Sequence, residues 1–145
     1  MIDALEAVLV LCREDAGVAA QVGTRVASKQ QFGTSTTRGA WTTPAKALVI
    51  TYDQGGTPDL DCPIQQVRLM VRCYGADEVA ASQVYGALVE LVRAAERRVV
   101  TTSRGDGLIY WVRLDGTPQF LYDFDLSMDF LQCFFEARVA ETPVP

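Results

Sequence analysis

The sequence predicts an α+β domain in which a mostly antiparallel β-sheet carries two main helices packed on one face. Residues 64 to 75 alternate apolar and polar side chains, which is the period of a half-buried strand. Residues 77 to 95 repeat apolar side chains every three or four positions, which is the period of an amphipathic helix. Strands and helices follow one another without strict βαβ alternation, and this order favours the α+β class.

The composition is that of one folded domain spanning residues 1 to 145. With 49% apolar and 21% charged residues, the chain belongs with globular and not with disordered sequences. We expect no membrane segment, because no apolar run approaches the roughly 20 residues that span a bilayer. Acids stand near the N-terminus where a signal peptide needs bases, so no export signal is expected. The net charge of −5 argues against binding nucleic acid through a basic surface.

The residues of acid–base and metal chemistry are sparse. Histidine is absent, which removes the commonest general base and the commonest metal ligand. The spacing of the four cysteines matches no zinc pattern, and they are Cys12, Cys62, Cys73 and Cys133. No HExxH, GxSxG or Walker-type loop occurs. We therefore predict no enzyme, no metal and no cofactor, and keep as a competing hypothesis an enzyme using Tyr122, Asp123 and Asp125.

The N-terminal part predicts a helix followed by a short strand. Asp3 and Glu6 have the spacing of a capping box, with Asp3 as the N-cap. The helix is expected to end near residues 16–17, with one further turn over 18–22 closed by Gly23. Residues 24–27 predict a short strand.

Residues 28–45 form a long polar segment rich in threonine and glycine. Phe32, Arg38 and Trp41 stand out in it. One interpretation is a loop whose Trp41 folds back on the core. The other is an arm that orders against a neighbouring subunit, because interfaces favour tryptophan and arginine.

The rest of the chain predicts strands around the helix of residues 77–95. Strands are expected over 46–52, 64–75, 99–102 and 108–114, then over 120–122 and within 125–139. In the fourth of these, alternation predicts one shared face, made of Leu108, Tyr110, Val112 and Leu114. In the last, Phe130 and Phe134 lie opposite an alternating apolar set, and if both faces of that strand are covered, one side is a candidate oligomer contact.

This order of elements resembles the tail-completion or tail-terminator proteins of long-tailed bacteriophages. The residues that carry the resemblance lie in the segments 1–8, 17–26, 47–51, 67–75 with 77–95, and 125–135. The resemblance implies a ring, commonly hexameric, that ends growth of the tail tube. It implies contact with the tail tube protein and with the head-side connector, and DNA passing through the lumen without specific binding. It also implies a place in the virion, after assembly in the host cytoplasm.

A closed ring needs contact between two different patches of each subunit. The candidate contact residues are Phe32, Arg38, Trp41, Phe130 and Phe134. The candidate lumen residues are Asp53, Asp59 and Asp61, for which a solvated loop is the open alternative. Two other functions stay open: another neck or minor tail protein, and a small-molecule-binding or regulatory α+β module.

Overall fold

The computed structural model describes residues 2–28, 45–53 and 63–141. These residues form three helices and seven strands. The helices are α1 (Ala4–Glu14), α2 (Ala16–Val22) and α3 (Glu78–Ala94). The strands are β1 (Val26–Ala27), β2 (Ala47–Tyr52), β3 (Ile64–Gly75), β4 (Arg98–Thr102), β5 (Gly105–Leu114), β6 (Gln119–Asp123) and β7 (Met128–Glu141).

An aspartate caps the N-terminus of each of these helices. The carboxylates of Asp3, Asp15 and Asp77 accept hydrogen bonds of 2.8–2.9 Å from backbone N–H groups two or three residues further on. The predicted N-caps at Asp3 and Asp77 are confirmed, whereas Glu6, the other half of the predicted capping box, accepts hydrogen bonds from the backbone N–H and the hydroxyl of Ser103. The further turn expected over residues 18–22 is a separate helix, because Asp15 adopts extended backbone (φ −78°, ψ 125°) and so ends α1 and starts α2.

The sheet is built around the 14-residue strand β7, which has partner strands on both sides. The strand order is β1-β2-β3-β7-β5-β4, and β6 also pairs with β7. On one side β3 follows β7 from Ile64↔Ala140 to Gly75↔Asp129. On the other side β6 pairs with residues 128–132 of β7, and β5 pairs with residues 135–141. Within the described residues, only the β1–β2 pair is parallel.

The sheet curls into a half-barrel, which corrects the expectation of a sheet with two helices on one face. Helix α1 touches β1 and β4, the two ends of the strand order, so the sheet bends around it. A β-bulge between Ile109 and Trp111 adds local twist where β5 meets β7. The mixed α/β composition and the mostly antiparallel pairing are as expected, and α2 is the additional helix.

The inner face of the sheet forms the main core with α1 and α3. Residues 69, 71 and 73 of β3 face inward as their alternation predicts, and so do residues 131–139 of β7 at every second position. The predicted shared face of Leu108, Tyr110, Val112 and Leu114 is wrong. The bulge shifts the phase, so that Leu108 pairs with the outward Ala140 whereas Ile109 and Val112 enter the core.

Candidate subunit-contact surfaces

Five residues predicted from the sequence to make contacts or line a lumen lie outside the described residues. They are Phe32, Arg38, Trp41, Asp59 and Asp61. Their roles stay predictions, and so does the interpretation of residues 28–45 as an arm. The other three, Phe130, Phe134 and Asp53, lie on or beside the outer face of the sheet.

Phe130 is part of a small second core on the outer face. Its ring lies 5.2 Å from the ring of Tyr74, and the Arg72 guanidinium stands 5.1 Å from its centroid. Ala47, Val49 and Met128 complete the buried part of this cluster, and Phe130 is only 6% exposed. Its ring is therefore already packed within its own chain, while the predicted subunit contact of Phe130 stays a prediction.

Phe134 and Asp53 are joined by Arg68, which comes from the middle of β3. The guanidinium lies 4.3 Å above the Phe134 ring. It also pairs with Asp53 at 2.6 Å and with Asp115 at 2.9 Å. On the outer surface along β3 and β7, Arg68 is thus neutralised within its own chain and the rings of Phe130 and Phe134 are covered. The predicted lumen carboxylate of Asp53 is one half of an ion pair.

The turn between β6 and β7 is held rigidly by one carboxylate. Asp123 Oδ1 accepts hydrogen bonds from the backbone N–H groups of Asp125 (3.0 Å) and Leu126 (3.1 Å). Ser127 then takes a left-handed backbone (φ 52°) that leads the chain into β7. Such side-chain-to-backbone bonds fix a turn in one conformation. We call residues 122–127 the hairpin tip.

The hairpin tip displays aromatic rings to solvent. Phe124 is 86% exposed and Tyr122 is 46% exposed, and the two rings meet edge to face at 5.0 Å. Phe120 and Leu121 are also exposed, on opposite faces of β6. In the described part of the chain, no strand pairs with the other edge of β6. Exposed rings on a preformed edge strand are typical of a protein contact surface.

A groove of about 390 Å³ separates α3 from the edge of β5. Its apolar walls are Val89 and Val92 from α3, Trp111, Val112 and Leu114 from β5, and Phe135 from β7. The groove exists because β4 covers only residues 105–109 of β5, so residues 110–114 lack a partner strand on that side within the described chain. We call this feature the α3–β5 groove.

Four arginines border the α3–β5 groove and the cleft that adjoins it: Arg93, Arg97, Arg113 and Arg138. Arg113 stacks on the Trp111 ring at 4.2 Å, and Arg138 stacks on the Tyr110 ring at 5.5 Å. Among the described residues, none of the four forms an ion pair. Glu96 is the one acid among the lining residues, and Glu136 faces Arg113 across the β5–β7 ladder. This rim is therefore basic on a chain of net charge −5.

Arg97 holds a strained backbone at this rim. Its φ of 52° is left-handed, which costs a non-glycine residue roughly 1 kcal/mol, and its N–H donates to the Tyr110 carbonyl at 3.2 Å. That bond ties the end of α3 to β5 and places the Arg97 side chain beside Tyr110 and Arg138. Residues kept in such conformations often serve a functional site.

The residues of the enzyme hypothesis have structural partners. Asp123 Oδ1 holds the turn, and Asp123 Oδ2 accepts a hydrogen bond of 3.4 Å from the Tyr74 hydroxyl. Tyr122 stacks on Phe124, and Asp125 is exposed. Within residues 2–28, 45–53 and 63–141, no group of three histidine, cysteine or acidic side chains could hold a metal ion.

Three cysteines of the described chain lie buried in the core as thiols. Burial raises the pKa of the Cys12 thiol to about 12. The pKa of Cys73 is raised well above its usual value by a hydrogen bond with Cys133 and by burial. Neutral, enclosed thiols are poor nucleophiles and poor metal ligands. These side chains act as small core residues.

The sequence reasoning missed Phe124, Trp111 and the rim arginines as surface features. The one local signal was the run Tyr122-Asp-Phe-Asp125, which places a ring between two acids at a turn. The α3–β5 groove has no local signal, because it depends on where β4 stops pairing with β5. None of the helices in the described part is long and apolar enough to cross a membrane.

Comparisons with known proteins identify a likeness of fold. No family model matches the chain, and no curated protein matches it. Among solved structures, the chain is similar to a chain of the virion of a native gene transfer agent particle. The TM-score is 0.60 and the identity is 17%, with 94% of each chain covered. At this identity the likeness establishes the fold alone.

Proposed function

We propose that this protein is a structural component of a phage-like virion and acts as a tail terminator. The observation that carries the proposal is the similarity of fold, over 94% of both chains, to a chain of an assembled gene transfer agent virion. The order of elements adds the finer assignment, because it resembles that of tail-terminator proteins. In this role the protein closes as a ring, hexameric by the resemblance, on the last ring of the tail tube.

The surfaces of the described chain support assembly. An exposed aromatic and acidic hairpin tip and a basic apolar groove lie on different parts of the same subunit. A ring of identical subunits needs two such different patches, because each copy contacts one neighbour with the first and the other neighbour with the second. The partners proposed from the resemblance are the tail tube and the head-side connector.

DNA is proposed to pass the ring without being held. The chain carries 18 acidic and 13 basic residues, and such an excess of acids disfavours a lasting grip on phosphates. The protein is proposed to act by shape and to catalyse no reaction. In the described chain, the candidate catalytic carboxylate of Asp123 is engaged by the backbone of its own turn.

Tail-tube capping tests the proposal. The tail tube subunit encoded by the same genome is polymerised with and without this protein and viewed by electron microscopy. We expect one ring at one end of each tube, shorter tubes, and no further growth from the capped end. Tubes of unchanged length with bare ends would contradict the assignment as a terminator. A density elsewhere on the tail would favour another neck or minor tail protein.

The α3–β5 groove favours one competing function, the binding of a small anionic aromatic compound. Trp111 offers a ring and Arg113 offers a cation at its mouth. A thermal-shift screen of such compounds separates this function from assembly. We expect no rise in the melting temperature at millimolar ligand, whereas a saturable rise lost in Arg113→Gln would support the small-molecule function.

A further inference from the structure

We infer that the hairpin tip of one copy docks into the α3–β5 groove of the next copy, with Phe124 as the inserted ring. This inference rests on the proposed function, since it names the two surfaces by which the ring would close. It differs from the contact predicted from the sequence, which paired residues 28–45 with the Phe130 and Phe134 face. The occupant of the groove is thus a second copy of this chain.

The hairpin tip cannot fill the groove of its own chain. Met128 closes the β6–β7 turn, and Phe135 lies in the groove wall. Seven residues of the same extended strand separate them, which is about 23 Å at 3.3 Å per residue. Because β7 pairs with β3 throughout this stretch, it cannot bend to bring the two together. Docking of the tip therefore has to occur between copies.

The two surfaces complement each other in charge. Asp125 is exposed beside Phe124 on the hairpin tip, while the groove and its adjoining cleft are bordered by four arginines and one glutamate. In the described chain these arginines have no ion-pair partner of their own. On a chain with net charge −5, this basic rim attracts the acidic tip of another copy and disfavours other pairings.

The two surfaces also complement each other in polarity and shape. Phe124 is 86% exposed on a turn held by Asp123, so docking loses little conformational freedom. The groove offers a Trp111 ring, three valines and Leu114. A rigid aromatic anchor entering an apolar pocket with a charged rim is the arrangement found at interface hot spots. Contact of tip with groove is heterologous, so it repeats from copy to copy until the ring closes.

Disulfide trapping tests the inference directly. Ser127→Cys, an exposed position that leaves Phe124 on the hairpin tip, and Val89→Cys are each made in a Cys62→Ser background, and equal amounts are mixed and oxidised mildly. We expect a covalent dimer in the mixture and none in either variant alone. The reason is that the hairpin tip of one copy contacts the groove of another copy, and two tips or two grooves do not contact each other. The chain carrying both cysteines should give covalent oligomers of increasing size, up to the number of subunits in the ring. Dimers from either variant alone, or none in the mixture, would overturn the inference.

Charge reversal gives an independent second readout. Asp125→Lys and Arg113→Glu are each expected to weaken self-association at least tenfold, measured by sedimentation, while circular dichroism shows that both variants remain folded. The chain carrying both changes should recover most of the loss. Val99→Lys on the exposed side of β4 is the matched control, and it should assemble as the wild type does.

The outcomes separate this inference from the proposed function. If Phe124→Ala and Asp125→Lys still form rings, and these rings cap tail tubes, the docking of the hairpin tip into the α3–β5 groove is overturned and the terminator function is left intact. If those variants form rings that no longer bind the end of the tail tube, another virion protein occupies the groove. This result would also overturn the inference. A wild-type chain that neither cross-links nor caps tubes would contradict both.

Discussion

The outer surface of the sheet has two regions that use the same residue types in opposite ways. Along β3 and β7, Phe130 and Phe134 are covered by Arg72 and Arg68, and Arg68 is neutralised by two aspartates. Around β5 and β6, Phe124 stands in solvent, and the arginines that stack on Tyr110 and Trp111 have no ion pair within the described chain.

The difference shows that residue type alone does not mark a contact surface. Arginine stacked on an aromatic ring occurs in both regions, and in the first it completes the fold. In the second region the same pairing leaves charge and apolar area without a partner, and such surfaces are where subunits meet. The predictions that follow test whether the two regions differ as this comparison requires.

The largest expected contrast is between Phe135→Ala and Phe124→Ala. Phe135 is 2% exposed in the main core, so its truncation should lower the free energy of unfolding by about 3–5 kcal/mol. Phe124 is 86% exposed, so its truncation should change that free energy by less than about 0.5 kcal/mol. Urea denaturation measures both, at protein concentrations below those at which the subunits associate. A large loss in Phe124→Ala would show that the hairpin tip supports the fold.

The next contrast concerns Phe130, a contact candidate from the sequence that packs inside its own chain. Phe130→Ala should lower the free energy of unfolding by about 3 kcal/mol, the lower end of the usual range, because its cluster is small. Chemical denaturation is compared with sedimentation of the same variant. Unchanged stability with lost assembly would instead support the subunit contact predicted from the sequence.

A smaller effect is expected from alkaline pH, which acts on the inner region and not on the exposed one. Burial raises the pKa of Cys12 from 9.0 to about 12. A raised pKa in the folded state means that the neutral thiol stabilises the fold fully below pH 9 and loses this contribution as the pH rises towards 12. The loss should reach about 1–2 kcal/mol near pH 10.5.

Tyr52 adds to this alkaline loss. Burial, and donation of its hydroxyl to the Asp3 carboxylate, raise the pKa of Tyr52 above its usual value. Thermal melts from pH 7 to 10.5 should therefore fall less steeply in Cys12→Ala and in Tyr52→Phe than in the wild type. Equal slopes in all three proteins would contradict the assignment of these groups.

Much of the inner region could be predicted from the sequence. The alternation through Leu69, Val71 and Cys73 assigns the inward face of β3, and the helical period assigns the buried stripe of α3. Asp3 and Asp77 mark their helix starts through local hydrogen bonds. These features depend on neighbours a few positions away, which one sequence contains.

The exposed region could not be predicted in the same way. The bulge at Tyr110 and Trp111 arises where β5 must pair with a curled β7, and the sequence of residues 108–114 does not predict it. Whether Phe124 or Phe130 becomes covered depends on Tyr74 and Arg72, some 50 positions away in the chain. The alternation assigns a face to each ring but does not determine what packs against that face.

The most direct test of assembly by shape is the mass of the purified protein in solution, measured by sedimentation velocity across micromolar concentrations. We predict a single closed species near six times the chain mass of 15.9 kDa, replaced by a folded monomer in Phe124→Ala. A wild-type protein that stays monomeric at every concentration and does not bind tail-tube ends would contradict the account.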